Sequence, residues 1–81
     1  MDGKLSQMKR GESARILTVE NQGTMRRRLH DVGFRQGALV RCLSRGPLGD
    51  PIAYELLGTV IALRKEDACQ IQVRSEKARW D

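Results

Sequence analysis

Three side chains in this 81-residue sequence have the chemistry of soft metal ligands or nucleophilic catalysts: His30, Cys42 and Cys69. Structural zinc sites usually take four ligands in closely spaced pairs, and the two cysteines are far apart without a CxxC spacing. A catalytic histidine needs a nucleophile and an orienting group, and no serine or cysteine motif surrounds His30. The residues therefore predict no enzyme active site, no metal ligands and no cofactor.

Glycine-rich segments that could hold a phosphate have the wrong spacing here. The segment Gly46–Asp50 lacks the lysine and hydroxyl residue of the P-loop pattern. The glycines Gly33 and Gly37 follow a predicted helix, whereas a phosphate-binding turn precedes one. The motifs therefore do not predict a nucleotide-binding loop.

Positive charge is concentrated in the first half of the chain. The net charge is +5, and residues 1–45 hold ten Lys and Arg against four Asp and Glu. Arg26, Arg27 and Arg28 are consecutive at the start of a predicted helix, where cations oppose the helix macrodipole. Such a surface favours an acidic partner, a nucleic acid or an anionic membrane surface. A solvated face that only keeps the protein soluble is the alternative, and composition leaves it open.

One short helix and several strands should position the arginines, His30 and the two cysteines. Met25, Leu29 and Val32 form one apolar stripe at helical spacing, which predicts a helix over 25–32 with Thr24 as its N-cap. Gly33 should end the helix in a left-handed conformation, as in a Schellman motif. His30 lies off the stripe, so we expect its side chain to be exposed.

Alternating apolar residues predict the strands. In the first strand Ala14 and Ile16 should face inward, and in the last one Cys69, Ile71 and Val73 should do so. The predicted strands are Ala14–Val19, Leu39–Arg45, Ile52–Leu56, Thr59–Arg64 and Cys69–Arg74, with a rigid loop over Gly46–Pro51 and one helical turn over Lys65–Ala68. The chain is therefore expected to be a single, mainly β domain: a small antiparallel barrel of about five strands with one short inserted helix.

The expected core of this domain covers about 5–74. A charged tail, 75–81, should follow it, and Trp80 could dock from that tail. No apolar run is long enough to span a membrane, and the first residues lack a secretion signal. We therefore expect a cytoplasmic protein without direct membrane insertion.

Four ordered parts of the sequence resemble the FeoA (ferrous iron transport protein A) family. They cover nearly the whole chain, from about Leu5 to Val73. They are Leu5 with Gly11–Ile16, then Arg28–Gly37, then Gly46–Ile52, then Ile61–Ala68 with Ile71–Val73. Each part alone is weakly specific, whereas the ordered set with its spacing is characteristic of the FeoA domain.

The resemblance implies an SH3-like barrel and an accessory or adaptor protein of bacterial ferrous iron uptake. The implied partner is the membrane transporter FeoB, whose cytosolic part carries a GTPase domain, and the chain would modulate FeoB assembly or GTPase activity. Recruitment to the inner face of the cell membrane would follow. The family supplies no catalytic residues. On fold analogy, we expect the partner-binding residues to be Arg27, Arg28 and His30 of the helix and Pro47, Leu48 and Asp50 of the loop.

Other functions remain as alternatives. A small basic barrel could bind nucleic acid, although aromatic residues for base stacking are scarce and Tyr54 should face inward. The same domain occurs as an interaction module of metal-dependent transcriptional regulators, but we expect the stand-alone transport form. Direct transport of ferrous iron would need more ligands in one place. Weak self-association stays open.

Overall fold

The computed structural model describes residues 2–76, so the expected docking of Trp80 lies outside the described residues. These residues form six strands and two α-helices. The strands are β1 (Asp2–Lys4), β2 (Ser13–Val19), β3 (Leu39–Arg45), β4 (Ile52–Leu56), β5 (Thr59–Leu63) and β6 (Ile71–Glu76). The helices are α1 (Gly23–Val32) and α2 (Lys65–Ala68), with 3-10 turns over Leu5–Gln7 and Pro47–Gly49.

All six strands belong to one antiparallel sheet in the order β1-β6-β2-β3-β4-β5. The sheet has one strand more than expected, because β1 pairs with β6 from Asp2 opposite Arg74 to Lys4 opposite Gln72. The Arg74 Nε donates to Asp2 Oδ1 at 3.0 Å across this pair. The strands therefore begin before residue 5 and continue past residue 74, the limits expected for the core.

The hydrophobic core is one cluster of buried side chains packed on one face of the sheet. Alternation is confirmed in β2, β3 and β4, where Ala14, Ile16, Val40, Cys42 and Tyr54 are all buried. The other fully buried large apolar side chains are Leu5, Leu29, Phe34, Ile52, Leu56 and Ile71.

The expectation for Cys69 is wrong. Instead of starting the last strand, Cys69 ends α2 in a helical conformation and is only partly buried. The turn of α2 continues through this residue, because the Cys69 N–H donates to Lys65 O at 3.0 Å. Strand β6 therefore starts two residues later, at Ile71, and its inward side chains are Ile71 and Val73.

Helix α1 begins earlier than the sequence predicts, and the expected Thr24 cap is wrong. Gln22 is the N-cap residue, without a side-chain hydrogen bond, and Gly23 takes a positive φ of 60° as the first helical residue.

The apolar stripe of α1 is also narrower than expected. Leu29 is buried and Met25 packs partly against the core, but Val32 is 44% exposed. The chain turns away directly after Val32, and Phe34 occupies the core in its place.

The end of α1 is the expected Schellman motif. Gly33 has a φ of 113°, its N–H donates to His30 O at 3.1 Å, and the Phe34 N–H donates to Leu29 O at 2.9 Å. The turn directs Phe34 into the core, where it is fully buried. A Cβ atom on Gly33 would lie 2.8 Å from Leu57 Cδ1 and 3.0 Å from Leu56 Cδ2. The β4–β5 hairpin therefore packs directly on the helix terminus.

Gly33→Ala is expected to lower the free energy of unfolding by about 1–2 kcal/mol through backbone strain at positive φ, and further through the contact with Leu57. Gly37→Ala is the matched control, because Gly37 has a φ of 88° with nothing within 4 Å of a Cβ atom. Urea denaturation should show a larger loss at Gly33 than at Gly37. Equal losses would mean that the hairpin contact contributes nothing.

Candidate docking surface

Helix α1 presents three exposed arginines near its N-terminus. Arg26, Arg27 and Arg28 are consecutive, so they project in different directions around the helix axis. Arg26 is anchored, since its Nη1 donates to Val19 O. Among residues 2–76 the ion pairs within 4 Å are Arg64–Asp50 and Arg74–Asp2, so the carboxylate of Asp31 neutralises none of the three arginines. The helix surface therefore keeps its positive charge.

His30 is exposed on the same helix, as expected. Arg27 and His30 line one open depression of about 530 Å³ together with Gly23, Arg26 and Asp31. Arg28 is exposed but does not line it. The structure thus brings two of the three expected helix residues to one concave surface.

The expected loop residues differ in their environment. Pro47 is exposed, and Leu48 is fully exposed at a positive φ of 61°, which is strained for a leucine. Asp50 is partly buried, and its Oδ1 accepts a hydrogen bond from the Lys65 N–H at 2.9 Å. Its other oxygen lies 3.9 Å from Arg64 Nη1. Asp50 therefore holds the loop on the N-terminus of α2, a structural role that the sequence did not reveal.

The helix residues and the loop residues line separate surfaces. The cavities at α1 take no side chain from the Pro47–Gly49 turn. Both regions are attached to α2: Asp50 binds its first residue, and Asn21 Nδ2 donates to Asp67 O at 3.0 Å just before α1. Helix α2 consequently links the two regions.

A second cavity at α1 involves residues that the sequence analysis did not single out. This cavity of about 290 Å³ is bounded by Arg26 and His30 of α1, by Arg35, and by the second half of β2. The helical spacing of Arg26 and His30 was a usable signal. The placement of Arg35 beside them depends on the turn at Gly33.

The face of the sheet opposite the core carries a further feature that the sequence did not point to. A cleft of about 570 Å³ is lined by exposed Leu39 and Leu57, with Arg15, Arg41 and Glu55 around them. Strand alternation would have placed Leu39 opposite the inward Val40. The part of the chain described here, residues 2–76, gives this cleft a lining that shares no residue with the two cavities at α1.

The three potential soft ligands are not brought together. Cys42 is fully buried in β3, and burial raises the pKa of its thiol, so it acts as an apolar core side chain. Residues 2–76 contain no group of three or more His, Cys, Asp or Glu side chains that could hold a metal ion. Over the same range, no helix is both long and apolar enough to cross a membrane.

Comparisons with known proteins agree with the fold and the motifs. The family model of the FeoA domain matches residues 3–75. The chain is 36% identical over 70 residues, 86% of its length, to the Fe(2+) transport protein A/Fe(2+) transporter FeoB fusion protein of Porphyromonas gingivalis. It spans only 8% of the length of that curated relative.

Two solved structures show the same architecture. FeoA from Chlorobium tepidum has a TM-score of 0.87 at 36% identity, over 91% of this chain and 70% of that chain. The zinc complex of Stenotrophomonas maltophilia FeoA, an SH3 domain protein, has a TM-score of 0.80 at 30% identity, over 91% and 95% of the two chains. The expected SH3-like fold is confirmed, with six strands. The chain belongs to the FeoA family.

Proposed function

We propose that this chain is a cytoplasmic accessory protein of bacterial ferrous iron uptake that docks on the cytosolic part of the transporter FeoB. Through this contact it modulates transporter assembly or GTPase activity. The main support is the Porphyromonas gingivalis relative, in which a transport protein A and FeoB form one fusion protein. A covalent fusion raises the effective concentration of one partner for the other, which is useful when the two act as one complex.

Charge on helix α1 supports it as the docking surface. Arg27 and Arg28 are exposed and make no ion pair with any of residues 2–76, so an acidic surface on the partner would meet two available cations. Charges of this kind steer diffusional encounter and favour one orientation of the complex. His30 adds a polar contact within the same depression.

The Pro47–Gly49 turn supplies a second, apolar contact in this proposal. Leu48 projects fully into solvent, and a bound partner would cover it. Asp50 positions that contact by holding the loop on α2 through Lys65. The docking surface is thus proposed to include both regions that adjoin α2.

Nucleic-acid binding receives less support. Phe34 and Tyr54 are fully buried, so neither ring can stack on a base without unfolding. Exposed arginines alone would give binding through phosphates that weakens steeply with salt.

Reversing the charges of Arg27 and Arg28 to glutamate should weaken binding to the purified cytosolic region of FeoB by at least about tenfold in low salt. The salt dependence of the affinity should also become shallower, because two cations no longer contribute. Isothermal titration calorimetry at two sodium chloride concentrations would measure both effects.

Lys9→Glu/Arg10→Glu is the matched control, since both side chains are exposed before β2, neither lines a cavity at α1, and each pair of substitutions lowers the net charge by four. Its affinity should change by less than about twofold. If the two double variants lose affinity equally, only net charge matters and α1 is not the docking surface. If RNA competes with FeoB for the wild-type chain but not for the Arg27/Arg28 variant, nucleic-acid binding is favoured instead.

A further inference from the structure

The cavity of about 290 Å³ between α1 and β2 is lined mostly by polar and basic residues. Its polar side chains are those of Thr18, Arg26, His30, Arg35 and Gln36. Its remaining lining comes from Leu17, Val19 and Phe34. Among residues 2–76, the side chains in this lining that can carry a charge are basic, and no aspartate or glutamate of that range contributes to it.

The two guanidinium groups are held in place by backbone carbonyls. Arg26 Nη1 donates to Val19 O, and Arg35 Nε donates to His30 O at 3.1 Å. A guanidinium has five N–H donors in a planar fork, so each arginine keeps most of its donors available. Because each side chain is already tethered, a ligand would find it partly ordered, and less conformational entropy would be lost on binding.

Acidic residues adjoin this cavity without lining it. Glu20 Oε2 accepts a long hydrogen bond from Thr18 Oγ1 at 3.5 Å, and Asp31 lines the neighbouring depression. Neither carboxylate pairs with Arg26 or Arg35 within 4 Å. Buried Phe34 and partly buried Leu17 add an apolar wall to this open cavity.

We propose that this cavity binds the phosphate group of a phosphorylated small molecule. Arginine forks match the geometry of phosphate oxygens and bind them with two parallel hydrogen bonds. Two guanidinium forks and the Gln36 amide offer more donors than the two oxygens of one carboxylate readily accept, whereas a tetrahedral phosphate can engage several. This site shares Arg26 and His30 with the depression of the proposed docking surface, but its binding to phosphate does not require the transporter and is measured without it.

An NMR titration of the isotopically labelled full chain would test this site. The probes are inorganic phosphate, AMP and adenosine, each at constant ionic strength maintained with sodium chloride. Phosphate or AMP should cause saturable shifts confined to amides around Thr18, Arg26, Arg35 and Gln36, and adenosine should not. Saturation by phosphate identifies the free ion as sufficient, and saturation by AMP alone identifies a phosphate ester.

Two variants and one control make the result specific. Arg26→Gln and Arg35→Gln should each raise the dissociation constant by at least about tenfold, since each removes one guanidinium fork. Arg10→Gln, at an exposed site away from α1, should change it by less than about twofold. If one of the two cavity variants does not fold, the dissociation constant of the other is compared with the control.

Three results would overturn the proposal. The first is a chemical shift change that rises linearly with the concentration of both phosphate and AMP and does not saturate. The second is an equal shift with adenosine, and the third is an equal loss of affinity in the Arg10 control.

Discussion

Phe34→Ala is expected to lower the free energy of unfolding by about 3–5 kcal/mol. The ring is fully buried directly after the helix-ending Gly33, and its removal would leave a cavity between α1 and the sheet. Small domains have a total stability of about 5–15 kcal/mol, so this single change would remove a large part of it. Urea denaturation followed by circular dichroism would measure the difference.

Phe34→Leu is the matched control for this prediction. It keeps an apolar side chain in the same place and should lose only about 1–1.5 kcal/mol. Both variants keep the backbone bond from residue 34 to Leu29 O, so the comparison isolates the packing of the ring. A loss below about 1 kcal/mol for the alanine variant would mean that the ring is not part of the core.

Local periodicity predicted most of the sheet correctly. Val40 and Cys42 alternate with exposed residues along β3, and the strand from Ile52 to Leu56 has the bounds that the sequence predicts. Gly33 was identifiable as a helix end because few other residues adopt a positive φ there. Such signals act within a few residues of each other, so a single sequence contains them in full.

Features that depend on distant partners were not predictable in this way. Strand β1 has only three residues, and its pairing with β6 joins the two ends of the described chain. Val32 continues the apolar stripe in the sequence, yet the turn at Gly33 brings Phe34 into the core instead. In both cases tertiary contacts decide between local alternatives that the sequence pattern does not separate.

In the candidate site, too, the features set by local spacing were predictable and those that need the folded chain were not. The exposed face with Arg27 and His30 follows from helical spacing alone. The closeness of Arg35 to Arg26 and His30 does not, because it depends on the turn at Gly33 that ends α1. Asp50 was expected as a partner contact, but its hydrogen bond to Lys65 crosses 15 residues and requires the folded hairpin.

Tyr54→Phe is expected to lower the free energy of unfolding by about 0.5–1.5 kcal/mol at neutral pH, because Leu5 O keeps its hydrogen bond from the Met8 N–H. Tyr54 is fully buried in β4, and its hydroxyl donates to Leu5 O at 3.0 Å. The variant keeps the ring and its packing but leaves a carbonyl without this donor. The loss therefore reports how strongly the N-terminal turn is tied to the sheet. An unchanged stability would mean that water replaces the hydroxyl at Leu5.

The same variant should also change the response to alkaline pH. Burial, reinforced by the nearby Cys42 thiol and partly offset by Arg45, raises the pKa of Tyr54 above its ordinary value of about 10. The unfolded chain then ionises first, so the stability that the neutral phenol contributes is present below pH 10 and is lost above it.

Between pH 10 and 11 the difference between wild type and Tyr54→Phe should therefore shrink by about 1 kcal/mol. Burial also raises the pKa of Cys42, but that thiol is present in both chains and its effect largely cancels in the comparison. Urea denaturation of both proteins at pH 7, 10 and 11 measures the trend. A difference that stays constant across this range would mean that the Tyr54 hydroxyl ionises as easily in the folded protein as in the unfolded chain. Its hydrogen bond to Leu5 would then lie in water, not in the core.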